Sequence, residues 1–154
     1  MTLYAFQLSP GSTSLDDGKV IGQSRYGWEF LEQVITLWRL VDPSRADAIA
    51  AVVDRASDTS DDYTRFAGDD LAALVPLIDG VADAIVAAGI VDRHWRVPPE
   101  RLEELARQVP AMDLKTERSL EAKTHALGEV MINALSLHTF LADALRADCV
   151  VVHD

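Results

Sequence analysis

The last third of the chain constrains the fold most. Across residues 120–145 an apolar or small side chain recurs at alternating steps of four and three: Leu120, Thr124, Leu127, Met131, Ala134, His138, Leu141 and Leu145. That spacing returns to one side of an α-helix at every turn, so it predicts one long helix seated among others. No proline interrupts it before Asp148, and Asp113 or Thr116 can cap its start. Gly128 falls inside the pattern, where glycine costs about 1 kcal/mol relative to alanine, and predicts a bend or a close helix contact. Directly afterwards comes "CVVV", residues 149–152, a compact β-forming run. A second such run lies at residues 2–8, rich in Leu, Tyr and Phe and ended by the turn signal "SPGS". Pairing the two joins both ends of the chain in a small sheet, and residues 19–21 offer a further scrap of strand.

Whatever lies between must pack inside that closure, and it reads as four shorter helices. Trp28, Leu31, Ile35 and Trp38, with Val34 and Leu37 beside them, form the first stripe, which Pro43 closes. Residues 44–56 form the second, with Ile49, Val52, Val53 and Ala56 inward and Asp47, Asp54 and Asp58 toward water. Leu71, Leu74, Ile78, Val81, Ile85 and Ala88 make the third, capped by Asp69 or Asp70, kinked at Pro76 and stopped by Gly89. "VPPE" opens the fourth, with Leu102, Leu105 and Val109 inward and Pro110 as its end. The expectation is a single, mostly α domain over residues 1–154: about five helices with a small β element pairing the N- and C-terminal strands. With 154 residues, 49% of them hydrophobic and 25% charged, the chain can bury a core of that kind.

The most apolar long window, residues 71–91, is broken by Pro76, Asp79, Gly80 and Asp83, so it reads as a buried helix and not a membrane span. No secretory signal is visible, and the single Cys149 allows no internal disulfide. These features predict a soluble cytoplasmic protein.

The net charge is −11, and residues 42–92, with eleven acidic against three basic side chains, carry −8 of it. A field of this sign repels phosphate backbones and anionic lipid and attracts basic proteins, so direct nucleic-acid or membrane binding is disfavoured. The charge peaks in "DRASDTSDDYTRFAGDD", residues 54–70, with six aspartates against two arginines. Read as a calcium loop from Asp58, this stretch places Tyr63 where the sharp turn requires glycine, and Asp69 where a bidentate glutamate belongs. It is not a calcium hand. Glu117, Glu121, His125 and Glu129 recur every fourth residue on the last helix, as metal ligands do in helical bundles. Their row points away from the apolar stripe, toward solvent, and a closed site would need ligands from another helix. Neither a metal nor a cofactor is expected.

His138, inside the apolar stripe, reads as a hydrogen-bonded core histidine. Cys149 and His153 fall on one side of a strand, about 13 Å apart, too far for proton transfer, so the cysteine reads as buried filler. No nucleophile elbow, phosphate-binding loop, CxxC or HExxH is present. No catalytic residue is therefore assigned.

What remains is recognition. Asp54, Asp58, Asp61, Asp62, Asp69, Asp70, Asp79 and Asp83 form one continuous negative surface if the second and third helices are adjacent and antiparallel. "DRHWR" sets Arg93 and Arg96 around Trp95, the composition of a secondary interface. The sequence thus predicts a non-enzymatic acidic interaction protein that binds and neutralises a basic protein partner, possessing the general character of immunity or antitoxin-type inhibitors. That comparison is one of class and rests on no shared motif. The alternative is a small-molecule-binding or enzymatic helical module whose pocket lies between the first and last helices, lined by Trp28, Trp38, Met131 and His138.

Overall fold

The computed structural model describes residues 1–57, 63–108 and 120–153, and their side chains except those of residues 106 and 120–126. Four strands, β1 (Leu3–Gln7), β2 (Lys19–Ser24), β3 (Thr64–Phe66) and β4 (Val150–His153), form an antiparallel sheet in the order β2-β1-β4-β3. The two terminal strands pair at its centre, with Leu3 opposite His153, Ala5 opposite Val151 and Phe6 opposite Val150. Six α-helices among the described residues pack with it: α1 (Gly27–Val41), α2 (Pro43–Ser57), α3 (Gly68–Ile78), α4 (Val81–Ala87), α5 (Leu102–Gln108) and α6 (Leu120–Arg146). The expected mostly helical fold with a terminal-strand sheet is what the structure shows.

The core follows from the helical periods. Leu31, Val34 and Leu37 of α1 meet Ile49 of α2, Leu71, Leu74 and Ile78 of α3, and Leu127, Met131 and Leu141 of α6, each at most 2% exposed. Leu3, Phe66 and Val151 of the sheet join the same cluster, all fully buried. Full burial of one such side chain stabilises by about 1.5–3 kcal/mol, which is why the 3–4 spacing dominates the local choice of helix.

Four details depart from the sequence reading. The third stripe is two helices. Pro76 is accommodated within α3, and the break comes at Asp79 and Gly80, whose φ of +76° a side chain would resist. Because α4 resumes at once, Val81 and Ile85 keep the period, and the sequence shows one stripe. Second, Pro43 opens α2 as well as ending α1: Asp42 alone separates them, its carboxylate accepting from Ser44 Oγ (2.6 Å) and the Arg45 N–H (3.3 Å). Third, α3 is capped at Ala67, whose N–H donates to the Asp70 carboxylate reaching back from the first turn (3.1 Å). Fourth, the acidic stretch contains a strand. Thr64 and Phe66 of β3 are buried against β4, and the Thr64 hydroxyl meets Ser57 Oγ at 2.9 Å. The Gly89 cap is as expected, at φ +70°.

Two glycines test the packing in opposite directions. A Cβ on Gly27 would lie 2.8 Å from Leu3 Cδ1, whereas one on Gly128 would meet nothing within 4 Å among the described residues, so no close contact with a described helix explains the latter. Gly27→Ala is expected to destabilise by about 1–3 kcal/mol through overpacking, and Gly128→Ala to stabilise by about 0.5–1 kcal/mol. Urea unfolding of both variants checks the pair; equal signs would refute the packing at the β1–α1 contact.

Acid should weaken the fold in part through three carboxylates. The Met1 amine holds Glu29 below its ordinary value, the Ser44 hydroxyl does the same for Asp42, and the N–H of Arg96, with that of His94, for Asp92. A lowered carboxylate stabilises the fold above its unfolded pKa of about 4 and loses that contribution as pH falls through the lower folded value. The thermal midpoint is expected to drop between about pH 5 and about pH 3, less steeply in Asp42→Asn, as calorimetry across that range would show.

Candidate functional site

The acidic residues of α2 and α3 are brought close by antiparallel packing, and two arginines give its direction. Arg55, near the end of α2, places Nε and Nη2 on Asp70 Oδ1 near the start of α3, at 3.1 and 2.8 Å. Arg45, near the start of α2, donates to the Asp79 carbonyl after the end of α3, at 3.3 Å. The helices are therefore adjacent and opposed, as the continuous acidic surface requires. The same two arginines interrupt that surface. Asp70 is bound on both sides, by Arg55 and by the Ala67 N–H, and its side chain is only 14% exposed.

The predicted residues consequently separate into groups. Asp69 and Asp83 are exposed and form no ion pair among the described residues. Asp79, exposed after α3, has Oδ1 3.8 Å from His138 Nε2 on α6. That places His138, half-buried, at the edge of the α3–α6 contact instead of in the core. Asp54 points elsewhere, toward α1. Asp58, Asp61 and Asp62 lie outside the described residues, as do Glu117 and the side chains of Glu121 and His125.

Asp54 belongs to a cleft of about 190 Å³ between α1 and α2. One wall is Trp28, Glu32 and Ile35, spaced i, i+4, i+7 along α1; the other is Ala50, Val53 and Asp54 of α2, with Leu31 between them. Ala50 is the smallest lining residue and leaves the space open. Glu32 and Asp54 are exposed and form no ion pair among the described residues, so two carboxylates stand over an apolar floor. The Trp28 ring is held by stacking on His153 of β4, centroids 4.2 Å apart and planes 17° apart.

Of the residues expected to line a pocket between the first and last helices, Trp28 lines this cleft instead. Trp38 (4% exposed) and Met131 (fully buried) fill the core, and Arg45 covers the Trp38 ring at 4.4 Å. Glu32, Ile35, Ala50 and Val53 were not legible as a site, since each fits its helix stripe or polar face equally well.

The Arg93–Trp95–Arg96 loop is organised by Asp92. Its Oδ1 accepts from the N–H groups of His94 (2.7 Å) and Arg96 (3.0 Å), and its Oδ2 faces Arg96 Nε at 3.3 Å. Trp95, at φ +60°, turns half-buried onto the core, while Arg93 is exposed with Nε 3.2 Å from His94 Nε2. Cys149 is buried, its thiol pushed up chiefly by burial and secondarily by Asp148, which leaves it a poor nucleophile. Among the described residues no helix is long and apolar enough to cross a membrane.

No protein-family model matches the sequence, and neither a curated protein nor a solved structure matches it.

The two kinds of aspartate can be told apart by stability. Asp70→Ala is expected to cost about 1 kcal/mol, because it removes the cap of α3 and the Arg55 partner. Asp69→Ala, one residue away and unpaired, should stay within about 0.5 kcal/mol of the parent. Denaturant midpoints decide; similar losses at both positions would mean that the surface carboxylates are not divided in this way.

Proposed function

We propose that this protein is a non-enzymatic acidic interaction protein that binds and neutralises a basic protein partner in the cytoplasm, in the manner of immunity or antitoxin-type inhibitors. The supporting observation is how charge is allocated. Six of the arginines are committed within the fold: Arg39 to Asp47, Arg55 to Asp70, Arg96 to Asp92 and Arg146 to Asp143, with Arg45 over Trp38 and Arg101 on the Gly89 carbonyl. Carboxylates without such partners among the described residues, Glu32, Asp54, Asp69 and Asp83, stay exposed on a chain of net charge −11. Unscreened negative charge of this kind steers a basic partner into encounter and rejects acidic competitors.

Among the described residues, the α1–α2 cleft is a place where a small-molecule or enzymatic reading could be accommodated. Its 190 Å³ falls below the roughly 300–1,000 Å³ typical of small-molecule and cofactor sites. Cys149 and His138 lie outside its lining.

The test is to capture partners from native lysate at low salt, elute them with a salt gradient, and measure association and dissociation rates for the recovered species. A partner of high pI is expected, with an association rate that falls steeply with ionic strength. Asp69→Lys/Asp83→Lys should slow association about tenfold and change dissociation little. A partner that is not basic, or rates indifferent to salt, would overturn the reading.

A further inference from the structure

We infer that the α1–α2 cleft is the anchor pocket for one arginine side chain of the basic partner. The inference rests on the interaction reading above and specifies where the partner's charge is received.

Three features of the cleft carry it. The first is size: at about 30 Å³ per water, 190 Å³ is the volume of about six water molecules, room for one long side chain. The second is the distribution of polarity. Leu31, Ile35, Ala50 and Val53 offer an apolar channel, and Glu32 and Asp54 stand with it, one from each helix. An amphipathic cation fits this arrangement, its methylene stem along the floor and its charged head at the carboxylates. A neutral aliphatic side chain would shield two exposed carboxylates from water without compensation, and an acidic one would be repelled. The third is Trp28, an aromatic wall already fixed by its stack on His153. A planar guanidinium stacks flat on such a ring while its fixed fork of in-plane donors stays available to both carboxylates; lysine's ammonium carries three donors but has no plane to stack. Arginine and tryptophan are also the residues that dominate binding energy at the centres of interfaces.

Charge complementarity therefore selects the occupant. Glu32 and Asp54 have no cation of this chain beside them among the described residues, while Asp47 and Asp70 on the same helix pair do. An arginine from the partner would complete the pattern already present in the fold.

The inference is tested first with n-butylguanidinium as the probe, in two-dimensional NMR of the full chain at low salt. Saturable shifts are expected at the Trp28 indole and at Ala50, with n-butylurea, its neutral counterpart, binding at least about tenfold more weakly. Glu32→Gln/Asp54→Asn should remove the preference, and Ala50→Leu, which fills the cleft, should remove binding. Circular dichroism of the three proteins should coincide. Equal binding of the urea, or shifts confined to other surfaces, would overturn the proposal. The second arm uses the recovered partner. Glu32→Gln/Asp54→Asn should speed its dissociation about tenfold, in contrast to the association effect of Asp69→Lys/Asp83→Lys. Unchanged dissociation with salt-dependent association intact sinks the arginine anchor and leaves the interaction reading standing. Guanidinium binding with no basic partner recovered sinks both the anchor and the interaction reading, since the cleft then serves a free cation.

Discussion

Everything in this fold depends on the pairing of β1 with β4. The two strands come from opposite ends of the chain, yet they are neighbours in the middle of the sheet, and β4 alone carries β3 on its far side. Closing so long a loop is entropically affordable, because each doubling of loop length adds only about 0.6 kcal/mol. What it requires is delivery of β4 at the correct height. Helix α6 provides it: the helix ends at Arg146, and a turn through Ala147 and Asp148, with Asp148 at φ +53°, sends the chain straight into the strand. The Cys149 N–H still bonds back to the Ala144 carbonyl at 2.9 Å, so strand and helix are rigidly joined. Leu3, Phe66 and Val151 then seal the sheet onto the helical core.

This explains which parts of the structure could be read from sequence. The α6 stripe, the "CVVV" run and the apolar N-terminus are strong local signals, and one pairing rule joins the strands they imply. β3 is different. Its three residues, Thr64–Phe66, sit among aspartates, and they form a strand only because β4 offers an edge far along the chain. Local reading sees only acidic surface there. The Gly80 break was hidden for the opposite reason, because the apolar period survives it. His138 shows a third limit. Periodicity put it on the core side of α6, but it lies at the edge of that face, where the α3 terminus brings Asp79 within 3.8 Å. A stripe fixes direction to within about one residue step, 100° of helix rotation; the neighbour decides whether that means core or seam.

The acidic surface illustrates the same limit in electrostatic terms. Counting aspartates along residues 54–70 overstates the free charge, because a carboxylate matters to a partner only if the fold has not already used it. Asp70 is used, as the cap of α3 and the partner of Arg55. Asp47 is matched by Arg39, although both side chains are more than half exposed and the pair adds little stability. Its effect is to cancel charge locally. No composition rule separates Asp69, free, from Asp70, committed; only the position of Arg55 on the facing helix does.

The site and the core are finally one problem. Asp42 is the whole connection between α1 and α2, so the helices are tied at that end and the cleft runs from their middle toward the other, where Trp28 and Ile35 face Ala50 and Asp54. Glu32 and Asp54 come from different helices, and their separation is therefore set by how Leu31 and Val34 pack against Ile49 and Val52 deeper down. A larger residue at position 50 would bury more apolar surface and, by stability alone, would be favoured over a space left open beside a tryptophan. The chain instead keeps alanine there, holds the indole ring with His153 from the last strand, and leaves two carboxylates beside it without an ion pair among the described residues. Forgone burial and unpaired charge coincide at one place, and that place is fixed by the central strand pairing through β4 and by the core beneath it. Binding there would be read against a rigid frame, so little ordering cost would be subtracted from the contact itself.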